Sequence, residues 1–123
     1  MKTIKVTEKQ LIMLSNYLYH DYTSEFFIMQ NAAPSAEDDG SMIRYWEEVT
    51  GRNLEGVIFT CPKCKLLFKR SALDGAHVVM ANGSNTPQYI TPLCQSCNRG
   101  HDDNPFVVRK RDVIPVPDNG DNT

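Results

Sequence analysis

The chain has 123 residues, 41% hydrophobic and 23% charged, which points to one folded domain and excludes a compositionally disordered chain. Thirteen Lys and Arg against fifteen Asp and Glu give a formal charge of -2, so the whole surface does not carry the basic excess of a nucleic-acid-gripping domain. The charge is uneven, since residues 1–56 sum to -4 and residues 57–123 to +2, and any phosphate-facing patch has to be local. No apolar run approaches the roughly 18 residues of a membrane helix. The first residues, Met1 to Glu8, lack the apolar stretch of a secretory signal. The expectation is a cytoplasmic protein with no membrane partner and no nucleotide cofactor.

Thr7-Glu8-Lys9-Gln10 has the form of a capping box. Leu11, Leu14 and Leu18 follow at helical spacing with Ile12 and Tyr19 beside them, which predicts a first helix over 8–20. His20 falls at its C-terminal end, a favourable place for an imidazolium. Ser24 to Gln30 reads as a second, short helix. Asn31 to Gly40, with Pro34, Ser35 and the acidic run Glu37-Asp38-Asp39, reads as a loop. A helix is predicted from Met42 to Thr50, opened by Ser41 and stopped by Gly51. Met42, Tyr45, Trp46 and Val49 share one face of it, an amphipathic stripe that reads as core.

From Val57 the pattern becomes β-like. Val57-Ile58-Phe59-Thr60 leads into a first C-x-x-C pair and Leu66-Leu67-Phe68-Lys69 leads out of it, predicting a hairpin. His77-Val78-Val79-Met80 is a further strand, and the polar run Asn82 to Pro87 a loop. Tyr89-Ile90-Thr91 runs through Pro92-Leu93 into the second pair. Phe106 to Val116 is a last strand region, and residues 118–123 a frayed tail.

The two pairs, Cys61-Pro62-Lys63-Cys64 and Cys94-Gln95-Ser96-Cys97, are separated by 29 residues. Two such turns bring four sulfurs onto one tetrahedral ion, the arrangement of a structural Zn2+ site. The competing readings are two disulfides, which a reducing compartment disfavours, and a redox pair, which needs one C-x-x-C in a β-α-β setting. Four sulfurs leave no open position for water or substrate, so such a zinc holds structure and does not catalyse. Residues 57–116 are thin in large apolar side chains. An apparent binding energy of roughly 10–16 kcal/mol is as large as the stability of a whole domain, so the metal is expected to hold this part together.

The order C-x-x-C, His77 on a strand, a loop, then Pro92-Leu93-Cys94 and Cys97-Asn98 resembles the HNH (ββα-metal, treble-clef) nuclease superfamily over about residues 57–100. More narrowly, Gly75-Ala76-His77-Val78, the Tyr89-to-Cys94 run and Tyr45-Trp46-Glu47-Glu48-Val49-Thr50-Gly51 look like a group of small bacterial and phage HNH-like proteins. The resemblance implies His77 as general base on water and Asn98 as a helix ligand of a catalytic Mg2+ or Mn2+. It also marks two departures. The acidic ligand expected just before the histidine is Ala76, and the asparagine expected to orient the base falls near Tyr89. Phosphodiester cleavage needs a cation at the scissile phosphate, and one neutral asparagine is a weak anchor for a hard dication. Asp74, two residues away on the same strand face as Ala76, supplies a carboxylate only through a bulge. Asp102 is the other carboxylate within reach, and His101 beside it reads as part of a solvated turn. His77 as a plain core residue stands equally open.

Two basic clusters remain: Lys63, Lys65, Lys69 and Arg70 around the first hairpin, and Arg109, Lys110 and Arg111 near the end. On a strand Arg109 and Arg111 share a face, so Lys63, Lys65, Lys69, Arg70, Arg109 and Arg111 are candidates for a phosphate-facing strip, with an ordinary solvated surface as the alternative. The predicted architecture is α+β. N-terminal helices (1–56) pack on a small treble-clef-like zinc module with short antiparallel strands (57–117), followed by a tail (118–123). The leading functional reading is a zinc-stabilised HNH-like module that binds a protein or nucleic acid and does not cut. The alternatives are a divergent metal-dependent nuclease using His77, and a regulatory protein whose acidic first half meets the basic surface of a larger machine.

Overall fold

A computed structural model describes residues 25–33, 36–81, 84–100 and 102–117. The helix predicted over 8–20, His20, His101 and the tail lie outside the described residues. Among the described residues the order of elements is β1 (Phe26–Asn31), α1 (Ser41–Thr50), β2 (Phe59–Thr60), β3 (Leu67–Phe68), β4 (Leu73–Met80), β5 (Tyr89–Cys94), α2 (Gln95–Arg99), β6 (Phe106–Arg109) and β7 (Ile114–Pro115). Helices and antiparallel strands are both present, as the sequence predicts for an α+β chain. No helix among them is long and apolar enough to cross a membrane.

Where a short helix is expected over Ser24 to Gln30, the described residues Phe26–Asn31 form a strand. In β1 the side chains alternate, with Phe27 half-buried, Met29 and Asn31 buried, and Phe26 and Ile28 exposed, the period of two that a one-sided strand requires. Its backbone is paired with β4 on one side, through Met29↔Met80, and with β6 on the other, through Met29↔Phe106. Phe-Phe-Ile has high β-propensity, and a short apolar run does not distinguish helix from strand by itself.

β6-β1-β4-β5-β7 form a five-stranded antiparallel sheet, and β2-β3 a separate hairpin. The last strand region divides in two, because a 3-10 turn at Lys110–Asp112 separates β6 from β7 and the two strands lie at opposite edges. Four inter-strand spacings put the edges of a flat five-stranded sheet about 19 Å apart. Five residues from Arg109 to Ile114 span at most about 18 Å when fully extended, and less with a turn among them. The sheet therefore curls until its edges approach. Its inner side holds one core, Met29, Ala76, Val78, Leu93, Phe106 and Val108 together with Cys61 and Cys94, with Val113 packed against it from the crossing segment.

The second core lies across β4 and β5, where α1 packs. Ile43 and Trp46 of the helix meet Leu73, Ile90, Ile114 and Leu54, and Trp46 Nε1 donates to the Asp112 carbonyl at 3.0 Å. The helix runs as predicted and ends on Gly51, whose φ of 73° closes the last turn through its N–H to the Glu47 carbonyl. Its inward stripe differs from the predicted one: Ile43 is buried while Val49 is 52% exposed, because only the first two turns of α1 lie over the sheet. Its N-terminus is held by Asp38, whose Oδ1 accepts from the N–H groups of Gly40 and Met42 and whose Oδ2 accepts from Ile43 and Gly75.

Glu47 ties the other end of α1 to the loops around it. It accepts from Arg70 Nε and Nη2 at 3.0 and 2.9 Å and from the Leu54 N–H at 2.7 Å. The Arg70 guanidinium, helped by the Leu54 amide and opposed by burial, holds the Glu47 carboxyl below its ordinary range. A carboxyl depressed in the folded state stabilises fully above its unfolded pKa, and that contribution is lost as pH falls through the folded value. Glu47→Gln is therefore expected to lower stability at neutral pH by about 1–3 kcal/mol. The difference from wild type should fade toward about pH 3, below the ordinary carboxyl range, as read from urea midpoints at the two pH values.

Candidate metal centre

The first C-x-x-C pair sits in the turn of the β2-β3 hairpin. The Cys61 N–H donates to the Leu66 carbonyl at 2.9 Å, and the Lys65 N–H returns to the Cys61 carbonyl at 2.8 Å. Lys65 adopts a left-handed φ of 70°, which rounds the turn so that the Cys61 and Cys64 side chains converge. The second pair opens α2: Cys94 is the last residue of β5 and the cap of the helix, and its sulfur accepts the Cys97 N–H at 3.4 Å. The Cys94 N–H donates in turn to Cys61 Sγ at 3.5 Å. The two pairs are thus brought together by the length of the β4-β5 hairpin, whose register pairs Leu73 with Cys94.

All four cysteines are free thiols, and their sulfurs lie within 4.8 Å of one another. Cys64 and Cys94 are 3.9 Å apart. Four sulfurs around one zinc at about 2.3 Å stand about 3.8 Å apart, so the set can hold a metal ion with small adjustment. Burial, reinforced by the neighbouring sulfurs, pushes the Cys97 thiol up, and burial does the same to Cys94. Burial acts in that direction on Cys64 too, but the Leu66 amide and the other sulfurs outweigh it, and that thiol is lowered. A cluster like this resists carrying several negative charges alone. A dication would neutralise them and pin the β2-β3 turn to the start of α2.

The residues proposed for catalysis are placed differently. Asn98, buried on α2, turns its Nδ2 to Asp74 Oδ2 at 2.7 Å and to the Ala36 carbonyl at 2.8 Å. Swapping the amide would aim its oxygen at two acceptors, so this orientation is fixed, and Asn98 Oδ1 is left without a partner. Asp74, 1% exposed, also accepts from Arg99 Nε and Nη2 at 3.0 and 3.1 Å. Both of its oxygens are taken by donors of α2. The carboxylate considered as a stand-in metal ligand thus meets a guanidinium and an amide N–H, the opposite of what a cation needs beside it. His77 is half-buried on β4 opposite Ile90. Strand alternation puts it on the α1 side of the sheet, while Asp74 and Ala76 face the other way. His77 thus lies on the sheet face opposite that of Asp74, the partner of Asn98.

The six basic candidates differ in their surroundings. Lys63 Nζ donates to Asn31 Oδ1 at 3.1 Å and to Asp102 Oδ1 at 2.6 Å and lies 5.7 Å from the Phe106 ring; only 10% of its side chain is exposed. Asp102, the other carboxylate considered for a catalytic ion, is engaged by this ammonium. Arg70 is held by Glu47, and Lys65 Nζ reaches the Pro62 carbonyl. Lys69 is exposed beside a cleft of about 490 Å³ lined by Val57, Ile58 and Arg70 among others. Arg109 lies on β6 and Arg111 in the following turn, away from the hairpin in the chain.

Asn31 is a residue that sequence reasoning passed over. Buried at the end of β1, it donates to the Cys97 carbonyl at 3.1 Å while accepting from Lys63 Nζ, so it links the backbone of the second C-x-x-C segment to a side chain of the first. Nothing local marks it, because its partners lie 32 and 66 residues away. No family model matches the chain, and no curated protein or solved structure matches it either.

Proposed function

We propose that the chain is a zinc-stabilised, treble-clef-like module that binds a protein partner through the β2-β3 hairpin and does not cleave nucleic acid. The metal reading rests on the chemistry of the donor set: four converging thiols select zinc among the common cellular dications. The treble-clef and HNH-like reading is supported by the order of parts. One cysteine pair sits in a hairpin turn, a long antiparallel hairpin follows, and the second pair opens a short helix.

One observation carries the non-catalytic reading. Asp74 is engaged at both oxygens by Asn98 Nδ2 and Arg99, so the carboxylate that would have to hold a catalytic ion already meets an amide N–H and a guanidinium. Protein binding is supported by the outer surface of the hairpin, where Leu66 and Leu67 are 62% and 66% exposed and Val57 and Ile58 lie nearby in sequence at 47% and 57%. Apolar exposure on this scale beside Lys69 suits an apolar partner segment with an acidic rim. It suits a phosphate backbone less, since Lys63 and Arg70 are already engaged by carboxylates.

Zinc-loaded protein incubated with single- and double-stranded DNA and RNA and Mg2+ or Mn2+ is expected to leave them intact. Cleavage that disappears in a His77→Ala variant would replace this reading with the nuclease one. For the partner, covalent capture in the source cells followed by nuclease digestion is expected to retain proteins that a Leu66→Ser/Leu67→Ser variant loses. Retention of nuclease-sensitive material alone, or the same proteins on both versions, counts against the hairpin as the docking surface.

A further inference from the structure

The four sulfurs are not equivalent toward a reagent in solution. Cys61 and Cys94 are buried, while Cys64 and Cys97 are half-buried and open in part to solvent. Three of the four also receive a backbone amide. The Cys94 N–H points at Cys61 Sγ at 3.5 Å, the Cys97 N–H at Cys94 Sγ at 3.4 Å, and the Leu66 amide at Cys64. Among the described residues no amide donates to Cys97 Sγ. A thiol that ligates a metal ion is deprotonated outright, so access and the charge left on sulfur are what separate the four in a loaded site. An N–H donated to a thiolate draws charge from it, as outer hydrogen bonds tune any metal ligand. Cys97 meets both conditions for attack: solvent reaches it beside the exposed Ser96, and no amide draws off its charge. Cys64 meets only the first, and Cys61 and Cys94 meet neither.

We propose that Cys97 of the zinc-loaded chain is a site of modification by hydrogen peroxide, with Cys94 as the thiol that resolves it; this rests on the zinc reading of the cluster. The Cys97 thiolate attacks one peroxide oxygen. An S–O bond forms, the O–O bond breaks, and hydroxide leaves with the electron pair, so that sulfur is oxidised to the sulfenic acid and the peroxide is reduced. The Cys94 thiolate then attacks the Cys97 sulfur, forming the S–S bond and breaking S–O, and a second hydroxide leaves. In sum, two thiolates and one hydrogen peroxide give one disulfide and two hydroxides. Cys94 is placed for the second step, because its sulfur already accepts the Cys97 N–H and lies within 4.8 Å of Cys97 Sγ. A C-x-x-C pair also closes readily into one disulfide. Two remaining sulfurs fall short of the four ligands that a structural site needs, and the β2-β3 turn is then released from the start of α2. The apolar surface at Leu66 and Leu67 would thus come and go with the oxidation state of one cysteine pair.

The test uses the full chain. Its zinc content is measured first, and protein without the ion overturns the metal reading and this proposal together. The loaded chain is then treated with limiting N-ethylmaleimide, or with limiting hydrogen peroxide beside a colorimetric zinc indicator, and the products are mapped by peptide mass spectrometry. The first maleimide adduct is expected on Cys97, at a rate that rises linearly with reagent. The first disulfide is expected between Cys94 and Cys97, with zinc released in step. Cys97→His keeps a fourth ligand but no thiolate there, and should slow peroxide-driven zinc release by about tenfold or more. Cys64→His should leave that rate unchanged. First modification at Cys64 with Cys97 untouched overturns the proposal even where zinc is present. So does a rate that levels off with reagent, which would mean that attack waits for the site to open. If Cys97→His fails to hold zinc, the mapping on the unmodified sequence decides by itself.

Discussion

Removing the metal with a chelator, or replacing Cys94 with Ser, is expected to unfold more than the segment that carries the cysteines. The β2-β3 hairpin has two residue pairs, Phe59↔Phe68 and Thr60↔Leu67, and a hairpin of that size has no stability of its own in water. Without the sulfur cage its amides should exchange at the rate of an unfolded peptide. The loss does not stop there, because Cys61 and Cys94 are buried members of the inner core shared by β1, β4, β5 and β6. Structural zinc contributes roughly 10–16 kcal/mol of apparent binding energy, against roughly 5–15 kcal/mol for the stability of a whole domain. The core around Trp46 shares β4 and β5 with the first through Leu73 and Ile90. Trp46, fully buried, should therefore shift its emission to the red in the same transition, with some residual helix in circular dichroism. Elemental analysis should give one zinc per folded chain. Unchanged exchange over residues 59–68 after chelation, or folded protein free of metal, contradicts this account.

What the sequence discloses follows from how local each signal is. The cysteine spacing is legible because two residues between ligands dictate a turn wherever the chain places it. Gly51 is legible as a helix stop because its positive φ is a property of one residue. β1 was not: Phe26 to Met29 carry no partner in their own neighbourhood, and only pairing with β4 and β6, about fifty to eighty residues on, turns the run into a strand. Asp38 lies inside a run that the sequence predicts as a loop, yet its carboxylate reaches Gly75, 37 residues away. Asp74 illustrates the same limit from the functional side. Strand alternation correctly put it on the face of Ala76, but which donors wait there depends on where α2 lands. The structure supplies Arg99 and Asn98 where a metal reading needs an empty, electronegative position.

Gly75→Ala is expected to be the most damaging substitution away from the cysteines, although it adds only one methyl group. A Cβ at Gly75 would stand 2.6 Å from the Met42 carbonyl carbon and 2.7 Å from the Ile43 nitrogen. Both are backbone atoms that no rotamer change can move. α1 touches β4 at this point only because the side chain is missing. The register explains why the same residue is also hydrogen-bonded to Asp38. Gly75 faces Pro92, which has no N–H to give, so this must be a pair without mutual hydrogen bonds, and the Gly75 N–H points away from β5. β1 pairs with β4 only at Val78, Val79 and Met80, and the Asp38 carboxylate takes the place of the missing strand. One carboxylate thus caps α1 and holds β4, while one absent side chain sets their separation. Overpacking costs roughly 1–3 kcal/mol and more against backbone, so a loss near the top of that range, about 3 kcal/mol, is expected for Gly75→Ala. Asp38→Asn keeps the shape but turns an amide nitrogen toward two of the four N–H donors, with an expected loss of about 2–3 kcal/mol. Because both act on one joint, the double variant should fall short of the sum by about 1 kcal/mol or more. Strict additivity in urea unfolding would show that the helix contact and the carboxylate hold α1 independently.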